Sequence, residues 1–266
     1  MGKLSKKKEK KRKKGMWAVV SMFKNEAPLL DEWVRHYLAE GAAHFFLVDN
    51  GSTDSPETVL APYMERVTLV RDAHRQPVGT QDLLLNRHFL GLVRRFEWVF
   101  VGDVDEYLYA PKGTVAAALG TASAHKVWVP WKVFGSNGHA AQPPGVVAGF
   151  TRRHRGVSTP YSVGPGGVVR SHLGCGKMLT RTRHLVALGA HETRVAAPFN
   201  GVATTPLLAL NHYMLMSRDY YRDVKCVRGG GQLGLTSPKY TMAYFEQTDA
   251  ACCDVVDEEL KVKKGL

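Results

Sequence analysis

WAVVSMFKNEAPLLDEWVRHYLAEGAAHFFLVDNGSTD, residues 17–54, holds two apolar runs separated by one amphipathic segment. Trp17–Phe23 is short, rich in β-formers and bounded by Lys24 and Asn25, the pattern of a buried strand. Asn25-Glu26-Ala27-Pro28 carries the marks of a helix start: an Asn cap, an acidic first turn and a proline near the first helical position. Leu29, Leu30, Trp33, Val34, Tyr37 and Leu38 recur on one face at helical spacing, and Gly41 ends the helix. Phe45–Val48 is a second strand that runs straight into the polar loop 49–54. Strand, helix, strand with a Gly-containing loop at the second strand's end opens a parallel α/β sheet.

The alternation continues outward from there. The pattern predicts a short helix over 56–64, a third strand over 67–70, a longer helix over 81–96 and a fourth strand over 98–101. A small helix over 114–119 and a strand over 126–130 follow. Residues 135–170 are rich in Gly, Pro, His and Arg without periodicity and are expected to form long loops, which in compact domains tend to be functional. A strand over 207–213 leads to a helix over 218–227, stopped by Gly229-Gly230-Gly231. Residues 249–266 read as a mobile tail, so the expected organisation is a basic tail over 1–15, one domain over 16–248 and a C-terminal tail.

With 266 residues, 44% of them hydrophobic and 23% charged, the chain can bury a sizeable core, which excludes a wholly disordered protein or a small disulfide scaffold. No run approaches the roughly 20 apolar residues of a membrane-spanning helix, and no apolar stretch follows the N-terminal charges as in a secretory signal; a soluble, cytoplasmic protein is expected. The net charge of +12 is uneven, because residues 1–14 carry +8 of it, leaving +4 for the rest. Such a block repels itself and is expected to be disordered; it is either a solvated tail or a contact for nucleic acid or an anionic membrane. Cys175, Cys226, Cys252 and Cys253 form no C-x-x-C pair and are expected as free thiols.

Three polar clusters stand at carboxyl ends of predicted strands: Lys24-Asn25-Glu26, Asp49–Asp54 and Asp103–Glu106. In open parallel sheets ligands bind outside those strand ends. Neither G-x-G-x-x-G nor a P-loop follows the first strand, so another device must neutralise phosphate. Asp103-Val104-Asp105 puts two carboxylates at a buried strand's exit, where they repel unless a cation or strong donors compensate. Oxygen ligands suit Mn²⁺ or Mg²⁺ with substrate phosphates completing the shell. Glu106 either supports these groups or caps the next segment. Gln81, Asn86 and Arg87 either face the same crevice or form the wet face of their helix; Trp128 and Trp131 either stack on a sugar or belong to the core.

Residues 19–54, WVFVGDVDEY (98–107), VPWKVFGSNGH (129–139) and NHYMLMSRDYYRDVKCVRGG (211–230) resemble the glycosyltransferase family 2-like group, in particular its branch related to family 92. The resemblance implies a GT-A fold, a Rossmann-like, mostly parallel α/β sheet flanked by helices. It also implies a metal-dependent, inverting transfer from a nucleotide-diphosphate-sugar donor to a glycan or other hydroxyl acceptor. By that resemblance Asn25, Glu26, Asp49 and Asp54 surround the nucleotide, joined by Arg87 where its helix faces the crevice, Gly135 and Ser136 approach the sugar, and Arg218 or Lys225 contacts phosphate. Asp103, Asp105 and a late histidine, His212, hold the metal, with His191 a second choice of ligand. Met216 stands where the group usually carries Lys or Arg. Glu192 is expected as the base that takes the acceptor proton. The alternatives are a catalytically silent, transferase-like binding protein acting through its basic tail, and a nucleotidyltransferase using the same carboxylates.

Overall fold

Residues 15–156, 163–164, 167–168, 176–196, 202–231 and 237–266 are described in this computed structural model; the basic segment 1–14 and Cys175 lie outside them. Trp17–Phe23 (β1), Ala27–Ala39 (α1), His44–Asp49 (β2), Pro56–Leu60 (α2) and Val67–Arg71 (β3) follow the expected alternation. Thr80–Phe89 (α3), Trp98–Val101 (β4), Glu106–Tyr109 (β5), Val115–Thr121 (α4) and Lys126–Val133 (β6) continue it. Gly176–Arg181 (β7), Val202–Thr204 (β8) and Ala209–His212 (β9) complete the sheet.

The nine-stranded sheet runs β3-β2-β1-β4-β7-β6-β9-β5, with β8 paired to β6. Strands β3, β2, β1 and β4 are mutually parallel, as are β6 with β8 and β9, whereas β7 and β5 pair antiparallel to their neighbours. The sheet is therefore mixed but mostly parallel, a Rossmann-like α/β arrangement. From β1 the chain moves outward to β3 and then returns to β4 on the other side, so the strand order reverses between β1 and β4. That reversal opens a crevice outside their carboxyl ends.

The apolar runs are continuous because both sheet faces are covered. Trp17, Val19, Phe45, Leu47 and Phe100 bury one face against Leu30, Trp33, Val34 and Tyr37 of α1. Ala18, Val20, Phe46, Val99 and Val101 bury the other against Leu84, Leu85 and Phe89 of α3. Each large side chain so buried contributes about 1.5–3 kcal/mol.

Several local expectations change. Helix α3 stops at Phe89, and a 3₁₀ turn, Val93–Arg95, replaces the expected continuation beyond Gly91. Asn25 does not cap α1: it adopts φ 54° and its side-chain oxygen accepts from the Thr53 N–H at 2.8 Å. The open Ala27 N–H instead donates to Asp54 Oδ2 at 2.8 Å. Strand β6 extends past Pro130 because Trp131–Val133 pair with β9. The helical run 218–228 contains a π turn, Tyr221–Lys225.

The stretch expected as a C-terminal tail is built into the fold. Asp249 accepts from the Ser136 N–H at 2.6 Å and from its hydroxyl at 2.7 Å. Val255 and Val256 pair with Arg153 and Arg152. Leu260 is buried, and Lys263 reaches Glu40 Oε1 at 2.7 Å. These partners are remote in sequence, which is why a stretch with few apolar residues reads locally as a tail. Among the described residues, no helix is long and apolar enough to cross a membrane.

Candidate functional site

A cleft of about 140 Å³ occupies the crevice at the ends of β1, β2 and β4. Its walls carry Lys24, Glu26, Asn50, Gln81, Asp103 and Asp105, and from later in the chain Trp131, His191, His212, Lys225, Arg228 and Tyr240. The turn 102–105 between β4 and β5 delivers the two aspartates, and the indole N–H of Trp33 fixes that turn by donating to the carbonyls of Asp103 and Glu106, both at 3.1 Å.

Both aspartates are charge-compensated, by lysines. Lys177, fully buried on β7, lies 3.0 Å from Asp103 Oδ2 and 3.3 Å from Glu106 Oε2. Gln81 donates to Asp103 Oδ1 at 2.8 Å. Lys225, brought inward by the π turn, sits 2.6 Å from Asp105 Oδ2 and donates to the Met214 carbonyl at 2.6 Å. Such π turns frequently mark functional sites. Burial works to raise both carboxyls; the Lys177 ammonium overrides it for Asp103, and Lys225 with His212 holds Asp105 well below the usual range. Burial dominates at Glu106 and pushes it up to about 8, despite Lys177. Arg228 closes the remaining side, pairing with Glu26 at 2.5 Å and donating to the Lys24 carbonyl at 3.1 Å.

Gly229, Gly230 and Gly231 also line the cleft. The Gln81 N–H donates to the Gly231 carbonyl at 3.2 Å, and Arg75 donates to the Arg228 carbonyl at 3.0 Å. A Cβ at Gly231 would meet the Met22 methyl group and one at Gly230 the Tyr240 hydroxyl, so either substitution would displace one of these side-chain ends at the cleft.

A divalent cation has a smaller donor set here than the sequence implied. Among the described residues, no group of three or more His, Cys, Asp or Glu gathers to hold a metal. Both oxygens of Asp103 are engaged, by Gln81 and Lys177. Asp105 Oδ1 has no hydrogen-bond partner and lies 3.6 Å from His212 Nε2. One carboxylate oxygen and one imidazole, completed by phosphate oxygens and water, form an ordinary binding set for Mg²⁺ or Mn²⁺.

Of the residues expected around a nucleotide, Glu26, Asp103 and Lys225 line the cleft. Asn25, Asp49 and Asp54 tie the loops together: Asp49 Oδ1 accepts from the Ser52 N–H at 2.7 Å and the other two clamp the loop after β1 as described, while Asp49 Oδ2 and Asp54 Oδ1 have no hydrogen-bond partner. Arg87 pairs with Asp72 at 3.2 Å on the outer face of α3, and Asn86 binds the Leu188 carbonyl at 2.7 Å. Gly135 and Ser136 pack on Asp249, away from the cleft, because Gly135 leaves no room for a Cβ beside Asp249 and Cys252. Arg218 is exposed and pairs with Glu246 at 3.2 Å. Glu192 does not reach the cleft either; its half-exposed carboxylate turns to Lys126 at 3.4 Å.

Its neighbour His191 does line the cleft, edge-on to Trp131 with ring centroids 5.7 Å apart. Trp131 in turn lies 4.4 Å from the His212 ring. Burial of the ring, then the Lys177 ammonium, pushes His191 down to about 3, so its imidazole is neutral near pH 7. Trp131 is therefore a cleft residue, whereas Trp128 packs beside Gly176. Lys177 had no signal in the sequence beyond a lone Lys in an apolar run, and Lys24, Arg75 and Lys239 none beyond their charge.

The fold and cleft define a Rossmann-like α/β protein with a charged crevice at its strand-order reversal. No family model matches the chain. It is similar to a glycosyltransferase family 92 protein of Oryza sativa subsp. japonica, 27% identical over 169 residues, covering 58% of this chain and 29% of that protein. The chain thus matches less than a third of that relative's length. Among solved structures it is similar to HddC from Yersinia pseudotuberculosis, with a TM-score of 0.42 and 11% identity over 78% of this chain and 97% of that one.

Proposed function

We propose that the protein is a glycosyltransferase of GT-A type that moves a sugar, with inversion, from a nucleotide-diphosphate-sugar donor to a glycan or other hydroxyl acceptor. The observation that carries this reading is the cleft's charge. Its acidic groups, Glu26, Asp103 and Asp105, are each paired with a cation. Lys24, Arg75 and Lys239 line the same cleft with no carboxylate partner among the described residues. That excess of positive charge at the ends of parallel strands suits a diphosphate. The similarity to a family 92 glycosyltransferase supports the same reading from the sequence side.

Asp105 and His212 would hold Mn²⁺ or Mg²⁺. The ion would supply positive charge to the departing nucleoside diphosphate, a contribution of several kcal/mol in such sites. Lys225 and Arg228 orient the phosphates, Gln81 and Lys177 hold Asp103 against the donor, and Trp131 offers an apolar wall to the sugar. Calorimetry with UDP-, GDP- and TDP-sugars, with and without Mn²⁺, tests the proposal: one donor is expected to bind, more tightly with the ion. Absence of binding to every donor under both conditions overturns it.

A further inference from the structure

The amino ends of β1, β2 and β4, the pole of the sheet opposite the cleft, carry a second concentration of positive charge. Arg66 precedes β3, and Arg94 and Arg95 belong to the 3₁₀ turn before β4. Arg181 ends β7, which runs antiparallel to β4 and so finishes beside Trp98, and Arg183 follows it. Of these, Arg66, Arg94, Arg95 and Arg183 are exposed. Contacts join them into one surface: Arg66 donates to the Ala43 carbonyl at 3.4 Å, Arg94 to the Leu185 carbonyl at 2.9 Å, and the Thr182 N–H to the Glu97 carbonyl at 3.0 Å. Burial, then Arg66 and Arg95, pushes His44 down; burial, then His184, Arg181 and Arg183, does the same at His125, so both rings stand among like charges. Glu97 is taken up by Arg181 and by the Gly15 N–H at 2.6 Å, which leaves Glu65 as the carboxylate beside Arg66. Residues 1–14, with their +8, join the chain at Gly15, on this same pole.

We infer that this pole docks on an anionic phospholipid surface, the arginines of the fold and the basic residues of 1–14 meeting the headgroups together. Eight of the nine basic residues in 1–14 are lysines, point charges that suit a field of many anionic groups better than fork-shaped recognition of one. Each basic residue near an anionic leaflet strengthens binding about fivefold. A single-stranded nucleic acid asks in addition for rings on which its bases stack. Among the described residues of this pole Trp17, Phe46 and Trp98 are buried, and Phe96 is half-buried beside the His44 ring. Docking at the amino ends of the parallel strands turns the cleft at their carboxyl ends away from the membrane. The seven residues of β1 separate the two by about 20 Å, twice the Debye length at about 0.1 M salt, so the lipid charge does not reach the cleft. The inference is independent of what the cleft binds.

The test is co-sedimentation of the full chain with vesicles of phosphatidylcholine, or of phosphatidylcholine mixed with phosphatidylserine, at about 0.1 M salt. Wild type is expected to bind the mixed vesicles, to ignore phosphatidylcholine alone and to be released by added salt. Arg66→Gln/Arg95→Gln/Arg183→Gln should bind about 10²-fold more weakly, at about fivefold per charge, with an unchanged melting temperature. Should Arg66→Gln disturb the turn it holds, Arg95→Gln/Arg183→Gln is read instead, at about 25-fold. A control triple, Arg35→Gln/Arg222→Gln/Lys261→Gln, removes the same charge from side chains paired with carboxylates elsewhere on the surface and should bind like wild type. Equal weakening in both triples reduces the effect to net charge, and full binding by the first leaves residues 1–14 as the sole contact; either result overturns the inference. So does tighter binding of wild type to single-stranded RNA than to the mixed vesicles at equal phosphate concentration, which would assign the pole to nucleic acid.

Discussion

Lys225 and Asp105, 120 positions apart in sequence, meet in the cleft with Nζ 2.6 Å from Oδ2. The side chains of both are nearly buried, so each charge depends on the other. Breaking one partner of such a pair costs about 3–5 kcal/mol because a buried charge is left behind, although the intact pair adds little net stability.

Lys225→Met is therefore expected to lower stability by about 3 kcal/mol. Asp105→Asn should also destabilise, and the double variant should recover much of the loss. Urea unfolding of the four proteins closes this cycle. Additive losses would show that the two groups are independent.

Lys177→Met is the harsher change, since it strips the counter-charge from Asp103 and a hydrogen-bond donor from Glu106. A loss of about 3–5 kcal/mol is expected. Lys177→Met combined with Asp103→Asn should be more stable than Lys177→Met alone, as judged by thermal melts.

Acid sensitivity has a defined source in α1. His36 donates from Nε2 to the Leu108 carbonyl at 2.8 Å, and burial, with Lys264 and Lys263 adding, pushes it down to about 3. In the unfolded chain the same imidazole titrates near ~6.5. Between those values the unfolded state binds a proton that the folded state refuses, so stability rises with pH. The contribution is complete above ~6.5 and is lost as pH falls towards 3, at about 3 kcal/mol between pH 7 and pH 4. Urea melts at the two pH values should show this loss, and His36→Gln should reduce it.

Removal of residues 249–266 is expected to lower the melting temperature sharply or prevent soluble expression, because it deletes the Asp249–Ser136 contact, the strand pair with Arg152–Arg153 and buried Leu260. Ser136→Ala should cost about 1–2 kcal/mol by leaving Asp249 less satisfied. Donor binding by Ser136→Ala, measured by calorimetry, should match wild type.

Residues 17–101 were legible because local pattern and final burial agree there. Apolar runs are strands covered on both faces, and Leu30, Trp33, Val34 and Tyr37 face the core as their spacing requires. Asp103 and Asp105 were legible for a similar reason, as polar residues forced to a strand's exit. The partners of those aspartates were hidden. Lys177 reaches Asp103 only because β7 inserts antiparallel between β4 and β6, and no local pattern in GKMLTR announces that placement. Asn25, Asp49 and Asp54 show why such residues read ambiguously: each accepts from a backbone N–H at the strand ends, two of them across to a neighbouring segment, a role that the same residue types signal as readily as ligand contact.

Strand β5 lies at the sheet's end and pairs only with β9, which the ribosome makes about a hundred residues later. Long-range pairings of this kind close late, since the intervening chain must be ordered first. The segment carrying Asp105 is held by Trp33 and Tyr37 of α1 but lacks its strand partner and Lys225 through most of synthesis, while β1 to β4 can already associate. Ligand competence and completion of folding coincide as a result, and a nascent or C-terminally cleaved chain presents a half-sheet with an open edge, the form most exposed to aggregation.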